Sequence, residues 1–312
     1  MSNGDLVAQL LREAEEIKGK SVAERSRKAY EGSIAVYEKT MKDGMGVDPY
    51  PINIEKMEAF LVYMKRRNRT FNTLDSYVGG FSFYFRSNNM DNLTQDLDFK
   101  RFHGGLRRDM CADQKNPKAK EPFELEFFER IVRSVPLDDG ENRRLMLCMT
   151  IAFSAFLRIS ELMNLRKRDI RIDREIGRIE LLIRRSKTDQ YGRGDSTFLF
   201  RNEGPACPWN YLDVLETMEE DDRVVGRKSE RDLRKSLADI LRLIGVEQVE
   251  RYSFHSFRRG GAHLASKNGV PDSMIKAHGR WKSEAYLRYV AVDKRDAGQR
   301  VAAGLVGRRA PQ

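Results

Sequence analysis

The sequence predicts a mainly α protein: a helical N-terminal domain, a polar linker, and a mostly helical C-terminal domain that holds a small β-sheet or hairpin. Three observations carry this. Apolar residues recur at three- and four-residue steps through most of the chain, as on a helix face. One polar, proline-containing stretch breaks that rhythm, and one later region has strand character instead. A length of 312 residues suits two domains, read as 1–111 and 123–312 around a linker at 112–122.

In the first domain, Ile54, Met57, Leu61 and Met64 line one side of a helix, and Ser21 to Tyr37 has a similar rhythm. Tyr77, Phe81 and Tyr84 repeat at helical spacing, an aromatic stripe that reads as core. The linker, CADQKNPKAKEP, is basic and has no apolar periodicity, which suits a solvated connector or a segment lying along a phosphate backbone. Beyond it, RRLMLCMTIAFSAFLRISELMNL is apolar on most sides and reads as a buried central helix pair. Arg178 to Arg184 and Ser196 to Arg201 flank a polar, glycine-containing stretch and predict a β-hairpin. Helical patterns return in CPWNYLDVLETM, in SERDLRKSLADILRLIG and after Ser253.

Composition narrows the function classes. Lys and Arg number 57 against 47 Asp and Glu, a net charge of +10. With a pI near 9.5, that balance suits a polyanionic partner such as nucleic acid, or simply a highly charged surface. The N-terminus lacks a basic segment followed by an apolar one, so no secretion signal is expected. No run approaches the roughly 18 apolar residues of a membrane span. Cys111, Cys148 and Cys207 lie far apart and form no metal-ligand pattern, which points to a reducing, intracellular setting.

Four features of the second domain can carry chemistry. Arg158 sits in the apolar stretch AFLRISELMNL, with Glu161 three residues on along the same helical face. Lys187 lies at the tip of the expected hairpin. His255 and Arg258, in HSFRRGGAHLASKNGV, converge if a helix begins there, and Gly260-Gly261 lets other backbone approach. The segment HGRWKSEAYLRYV carries His278, Trp281, Tyr286 and Tyr289, read as sharing one helix. Taken singly, each has an ordinary structural reading: an ion pair, a solvated lysine, a common histidine–arginine spacing, packed aromatics.

Their order along the chain is more specific. Arg158, Lys187, His255-x-x-Arg258 and Trp281 followed by Tyr289 resembles the signature of the tyrosine recombinases, the phage integrase family. LRISELMNL resembles the family's first arginine box, HSFRRGGAHLASKNGV its second and GRWKSEAYLRYV its tyrosine box. The resemblance spans about residues 122 to 295. More loosely it includes the first domain, which stands where the family has its helical core-binding domain ahead of the mixed α/β catalytic domain. Two departures stand out. Tyr289 follows Trp281 by eight residues where the family usually has nine, which leaves Tyr286 as a rival. Arg259 occupies a position that is histidine in many members.

The resemblance implies a site-specific DNA recombinase with Tyr289 as nucleophile and a 3′-phosphotyrosyl intermediate. Arg158 and Arg258 would clamp the scissile phosphate, since a guanidinium is a rigid fork that keeps its charge. Glu161 would support Arg158, and the Trp281 N–H would bond a phosphate oxygen. His255 would take the phenol proton and Lys187 would protonate the leaving 5′ oxygen. The phosphotyrosyl link conserves the ester, so no cofactor and no metal is expected. Double-stranded DNA is the implied partner, with a homotetramer on two duplexes and a DNA-associated location, nucleoid or nucleus. A type IB topoisomerase, or a DNA-binding relative that has lost cleavage, are the alternative readings.

Overall fold

The computed structural model describes residues 3–19, 21–111, 120–186, 189 and 193–288. Lys187, Tyr289, the tail after Asp293 and most of the expected linker (112–119) lie outside the described residues. The chain divides into two compact units, Met1–Pro117 and Lys118–Gln312.

The first unit is helical: α1 (Asn3–Gly19), α2 (Glu24–Lys39), α3 (Ile54–Arg66), α4 (Phe71–Ser87) and α5 (Leu97–Cys111). Asn53 caps α3 by accepting from the Lys56 N–H at 2.8 Å, and Thr70 caps α4. Met57, Leu61 and Met64 are buried as their spacing predicts, with Ile54 at the margin. Of the aromatic stripe, Phe81 is fully buried, and the Tyr37 ring meets Phe60 and Phe81 edge-on at 5.3 and 5.0 Å. Helices α2 and α4 approach closely because Gly80 has no side chain. A Cβ there would stand 2.6 Å from the Ser33 Cβ.

The second unit forms its core around α7 (Gly140–Ser154), in which every residue from Leu145 to Phe153 is buried. Such a helix, apolar on all sides, needs covering on all sides. It is covered by α6 (Leu125–Ser134) through Phe128 and Ile131, by α10 (Glu230–Leu243) through Leu237 and Leu241, and by α11 (Phe254–Lys267) through Phe257. Short helices α8 (Ile159–Asn164), α9 (Asp213–Glu216) and α12 (Asp272–His278) complete the unit.

The expected hairpin supplies two strands of a three-stranded antiparallel sheet in the order β1 (Ile170–Asp173), β2 (Arg178–Ile183), β3 (Asp195–Phe200). The β2–β3 register runs from Arg178 opposite Phe200 to Ile183 opposite Asp195. Ile179, Leu181 and Ile183 alternate inward onto the core. Strand β1 escapes sequence reading because its four residues, IRID, sit in a charged run with no turn signal of their own. The stretch CPWNYLDVLETM, expected to be helical, forms a 3₁₀ turn (Pro208–Tyr211) followed by α9. Tyr211, Leu212, Val214, Leu215 and Met218 are all buried at a spacing that would suit one helix face, but Pro208 opens a tight turn and the helix that follows it is only four residues long.

Helix α11 starts at a reciprocal cap. Ser253 Oγ accepts from the His255 N–H at 3.2 Å, and Ser256 Oγ accepts from the Ser253 N–H at 3.1 Å. The glycine pair then lets the helix press onto two backbones. A Cβ on Gly260 would run into the Phe123 backbone, 2.8 Å from its nitrogen, and one on Gly261 would strike the Phe153 carbonyl and the Phe156 ring. The Phe123 and Phe257 rings pack 4.3 Å apart beside this contact. Gly260→Ala is therefore expected to destabilise the second unit by about 1–3 kcal/mol, the usual cost of overpacking a tight contact. A urea titration reads this directly, and an unchanged midpoint would contradict the packing described.

Candidate active site

Helix α7 ends at Ser154, and the chain reverses through Ala155–Leu157 with Phe156 in the left-handed region (φ 49°). Arg158 follows as the residue capping the start of α8 (φ −77°, ψ 153°). It therefore precedes the helix, where the sequence had suggested a shared helical face with Glu161. A reversal is needed there because α7 has already spent its apolar run and α8 begins on a new axis. Glu161 reaches back from the first turn of α8. Its Oε1 accepts from the Arg158 guanidinium at 2.6 Å, and its Oε2 accepts from the Arg158 backbone N–H at 3.0 Å.

The Glu161 side chain is wholly buried, whereas that of Arg158 is 20% exposed. Burial alone would raise the Glu161 pKa. The Arg280 guanidinium, the Arg158 N–H and the Arg158 guanidinium more than offset it, leaving the carboxyl below its ordinary range.

His255 and Arg258 stand in the first turn and a half of α11, one near the surface and one inside. Arg258 is 1% exposed. It donates to the carbonyls of Phe156 and, at 2.8 Å, of Gly279, and its guanidinium carbon lies 4.0 Å from the centre of the Trp281 ring. A desolvated cation on an indole face contributes about 2 kcal/mol. His255 is exposed at its outer edge. Partial burial, then Arg258, Arg259 and Arg158, hold its pKa below the ordinary value. The two boxes meet through the backbone: Arg258 donates to the Phe156 carbonyl, two residues before Arg158. Arg259 donates to the Lys120 carbonyl at 2.7 Å, so it fastens the start of the unit onto α11.

Trp281 and Tyr286, read as sharing one helix, do not share one. Helix α12 stops at His278, Gly279 closes it, and Arg280 turns left-handed (φ 55°). Trp281 follows outside any helix, and Tyr286 belongs to a 3₁₀ turn, Glu284–Arg288. Gly279 has no freedom to be anything larger, since a Cβ would lie within the Trp281 ring. Tyr286 is 6% exposed, with its ring 6.2 Å from that of Trp281. Burial, then Glu284 and Asp272, raise its pKa. His278 is structural: its Nε2 lies 2.7 Å from the Ser154 carbonyl, and burial first of all lowers its pKa.

The structure thus gathers Arg158, Glu161, His255, Arg258 and Trp281 from α7–α8, α11 and the turn after α12. Around Lys187, only the hairpin ends are described. Ser186 and Asp189 bridge, and the Asp189 carboxylate accepts from the N–H groups of Arg193 (3.2 Å) and Gly194 (2.8 Å). Sequence reading missed two contributors. The carbonyls of Phe156 and Gly279 have no side-chain signature at all. Arg280, buried beside Glu161, offered no signal of its own, because in the polar, charged stretch HGRWKSE an arginine reads as solvated. Among the described residues, no group of three His, Cys, Asp or Glu side chains is arranged to hold a metal ion. No helix among them is long and apolar enough to cross a membrane.

Solved structures share this fold. The Tn1549 transposon integrase in complex with circular intermediate DNA matches with a TM-score of 0.63 and 15% identity, over 96% of this chain and 99% of that one. A lambda integrase dimer bound to a COC′ core site matches at 0.57 and 16%, over 92% and 78%. XerH site-specific recombinase bound to palindromic difH substrate matches at 0.56 and 17%, over 82% and 71%. At these identities the likeness is one of fold, and the fold is that of tyrosine recombinases, enzymes that cleave and rejoin DNA. Residues 128–295, more than half of the chain, match the phage integrase family, and the chain belongs to it. No curated protein matches the chain at the level of sequence.

Because the folded protein disfavours the charged form of His255, the ring is neutral at neutral pH. The sign for stability follows: unfolded His255 binds a proton more readily, so stability falls as pH drops from the ordinary 6.5 toward the lower folded value. Imidazole resonances are expected to titrate with a midpoint below 6.5 at His255, and Arg259→Gln should move it upward. A wild-type midpoint at or above 6.5 would contradict the electrostatics described.

Proposed function

We propose that the protein is a site-specific recombinase that cleaves DNA through a covalent 3′-phosphotyrosyl bond at Tyr289. The observation that carries the reading is geometric: Glu161 holds the Arg158 guanidinium, and Arg258, one turn after His255, reaches both the Phe156 carbonyl just before Arg158 and the Trp281 ring. Attack on a phosphodiester builds negative charge on the non-bridging oxygens. Fixed guanidiniums oppose that charge without reorganising at the moment of reaction. Arg158 and Arg258 take this role, the first steered by Glu161 and the second by two carbonyls and an indole face. The Trp281 N–H serves as a further donor to the phosphate.

A phenol titrates near pH 10, so Tyr289 needs a base and a positive field. A neutral His255 among arginines supplies both conditions. The phenol oxygen bonds to phosphorus, its proton passes to His255, and the bond to the 5′ oxygen breaks. Lys187 gives that oxygen its proton. Rejoining reverses these steps with a 5′ hydroxyl from another strand, which conserves the ester and explains why no cofactor is called for. Packing supports Tyr289 over Tyr286, because Tyr286 is buried against Trp281 and harder to ionise. Double-stranded DNA is the substrate, held by a basic chain through its phosphates, and recombination proceeds in a homotetramer on two duplexes. The core-binding domain is 1–111 and the catalytic domain 123–312.

A pool of labelled, nicked duplexes of random sequence tests this without knowledge of the target. Wild type should yield denaturation-resistant protein–DNA adducts, and Tyr289→Phe none. Arg158→Met should lower adduct formation by about 10²–10³, the effect of removing one transition-state donor. Adducts that persist in Tyr289→Phe and vanish in Tyr286→Phe would move the nucleophile. The absence of any wild-type adduct would overturn the proposal. Relaxation of supercoiled plasmid lacking paired sites would favour a type IB topoisomerase.

A further inference from the structure

Glu161 is shared between two arginines, and only one of them belongs to the set above. Oε1 holds Arg158, while Oε2 accepts from Arg280 at 3.1 Å as well as from the Arg158 backbone. The Arg280 side chain is 6% exposed, and Glu161 is wholly buried. The other side of the Arg280 guanidinium donates to the carbonyls of Ala155 (3.3 Å) and His278 (3.2 Å). Those two carbonyls flank the segments that supply Phe156 and Gly279 to Arg258. One buried guanidinium is thus tied to the supports of both arginine boxes.

Arg280 is also held at a cost. Its backbone is left-handed (φ 55°), where a residue with a Cβ is disfavoured, and its Nε is buried with no hydrogen-bond acceptor among the described residues. Strain and an unsatisfied donor at one residue persist when the surroundings over-determine that residue. A glycine at 280 would relieve both costs, yet it would remove the guanidinium.

The chemistry of the shared carboxylate indicates what the guanidinium does. A carboxylate and an arginine left to themselves prefer the two-pronged pairing, with both oxygens engaged by the fork. Here Arg280 and the Arg158 backbone N–H occupy Oε2, so the Arg158 guanidinium meets Glu161 through Oε1 alone. Its guanidinium is then steered by one carboxylate contact while the side chain stays partly exposed. The buried Arg158–Glu161–Arg280 group also keeps a net positive charge, which an Arg158–Glu161 pair would cancel.

We infer that Arg280 is a positioning residue for DNA cleavage: by holding the second oxygen of Glu161, it keeps Arg158 singly paired and directed at the scissile phosphate. The inference rests on the recombinase reading given above. It adds a residue outside the tyrosine recombinase signature through which the tyrosine segment and the first arginine box are coupled.

The test compares Arg280→Lys, Arg280→Met and Glu161→Gln with wild type on DNA recovered from the wild-type adducts. Single-turnover adduct formation is measured at saturating DNA, alongside DNA affinity and the thermal midpoint. Arg280→Met should slow cleavage on the order of 10- to 100-fold, the scale of a misplaced reacting group, with DNA affinity little changed. Arg280→Lys keeps the charge on Oε2 but cannot bridge both carbonyls, so it should recover part of the rate. In a Glu161→Gln background, Arg280→Met should add little further loss, because the two act as a unit.

Wild-type rates in both Arg280 variants would overturn the inference. So would a loss of cleavage matched by an equal loss of DNA affinity, or full additivity with Glu161→Gln. Should Arg280→Met not fold, Arg280→Lys decides alone: a wild-type rate overturns the inference, and a reduced rate at unchanged affinity supports it. A wild type that forms no adduct would instead overturn the recombinase reading itself, so the two failures are distinct.

Discussion

A guanidinium cannot neutralise itself by losing a proton, and Arg258 is buried to 1% exposure. Everything around it answers that constraint. The carbonyls of Phe156 and Gly279 come from the ends of α7 and α12, and the Trp281 ring closes from a third side. These partners lie 102 and 21 residues away along the chain, so satisfying one side chain fixes how three segments meet. Losing any of them would leave a buried charge partly unmet, which is far costlier than losing an ordinary contact.

The backbone geometry nearby follows from the same demand. Phe156 is left-handed so that its carbonyl can turn toward α11, and Gly261 lets the Phe156 ring lie against that helix. Gly279 is bare so that the indole can lie over it. Electrostatically, the locality has an excess of cations over carboxylates. One buried acid, Glu161, is shared by Arg158 and Arg280, while Arg258, Arg259 and Arg158 all disfavour a charge on His255. Such an excess suits an anionic reactant whose charge grows during reaction, and it would be hard to sustain without the carbonyl dipoles that share it.

Much of this was legible in the residues. Helical patterning located α2, α3, α4, α7, α10 and α11, and strand character located β2 and β3, because each keeps a regular apolar pattern where it packs. The reading failed where tertiary packing overrode local pattern. Strand β1 is too short and charged to announce itself and exists only through its pairing with β2. The apolar residues from Tyr211 to Met218 keep helical spacing yet pack as a 3₁₀ turn and a four-residue helix, a break that spacing does not reveal. Trp281 and Tyr286 looked co-helical until Gly279 and Arg280 ended α12 between His278 and the tryptophan. In the site, Arg158, Glu161, His255, Arg258 and Trp281 were named from their order and spacing. Arg280 was not, because a buried arginine and a solvated one look alike in a sequence.

By itself the sequence determined the mainly helical class, the basic balance and the identity of the residue types that could serve a phosphate. Those properties depend on local periodicity and on functional groups, both of which a linear string preserves. The tertiary structure alone decided which arginine is buried, that Glu161 is divided between two cations, and that backbone carbonyls hold Arg258. Burial and pairing are relations between segments distant in sequence, and the carbonyl is the same group in every residue, so no local pattern can encode which one a guanidinium will meet.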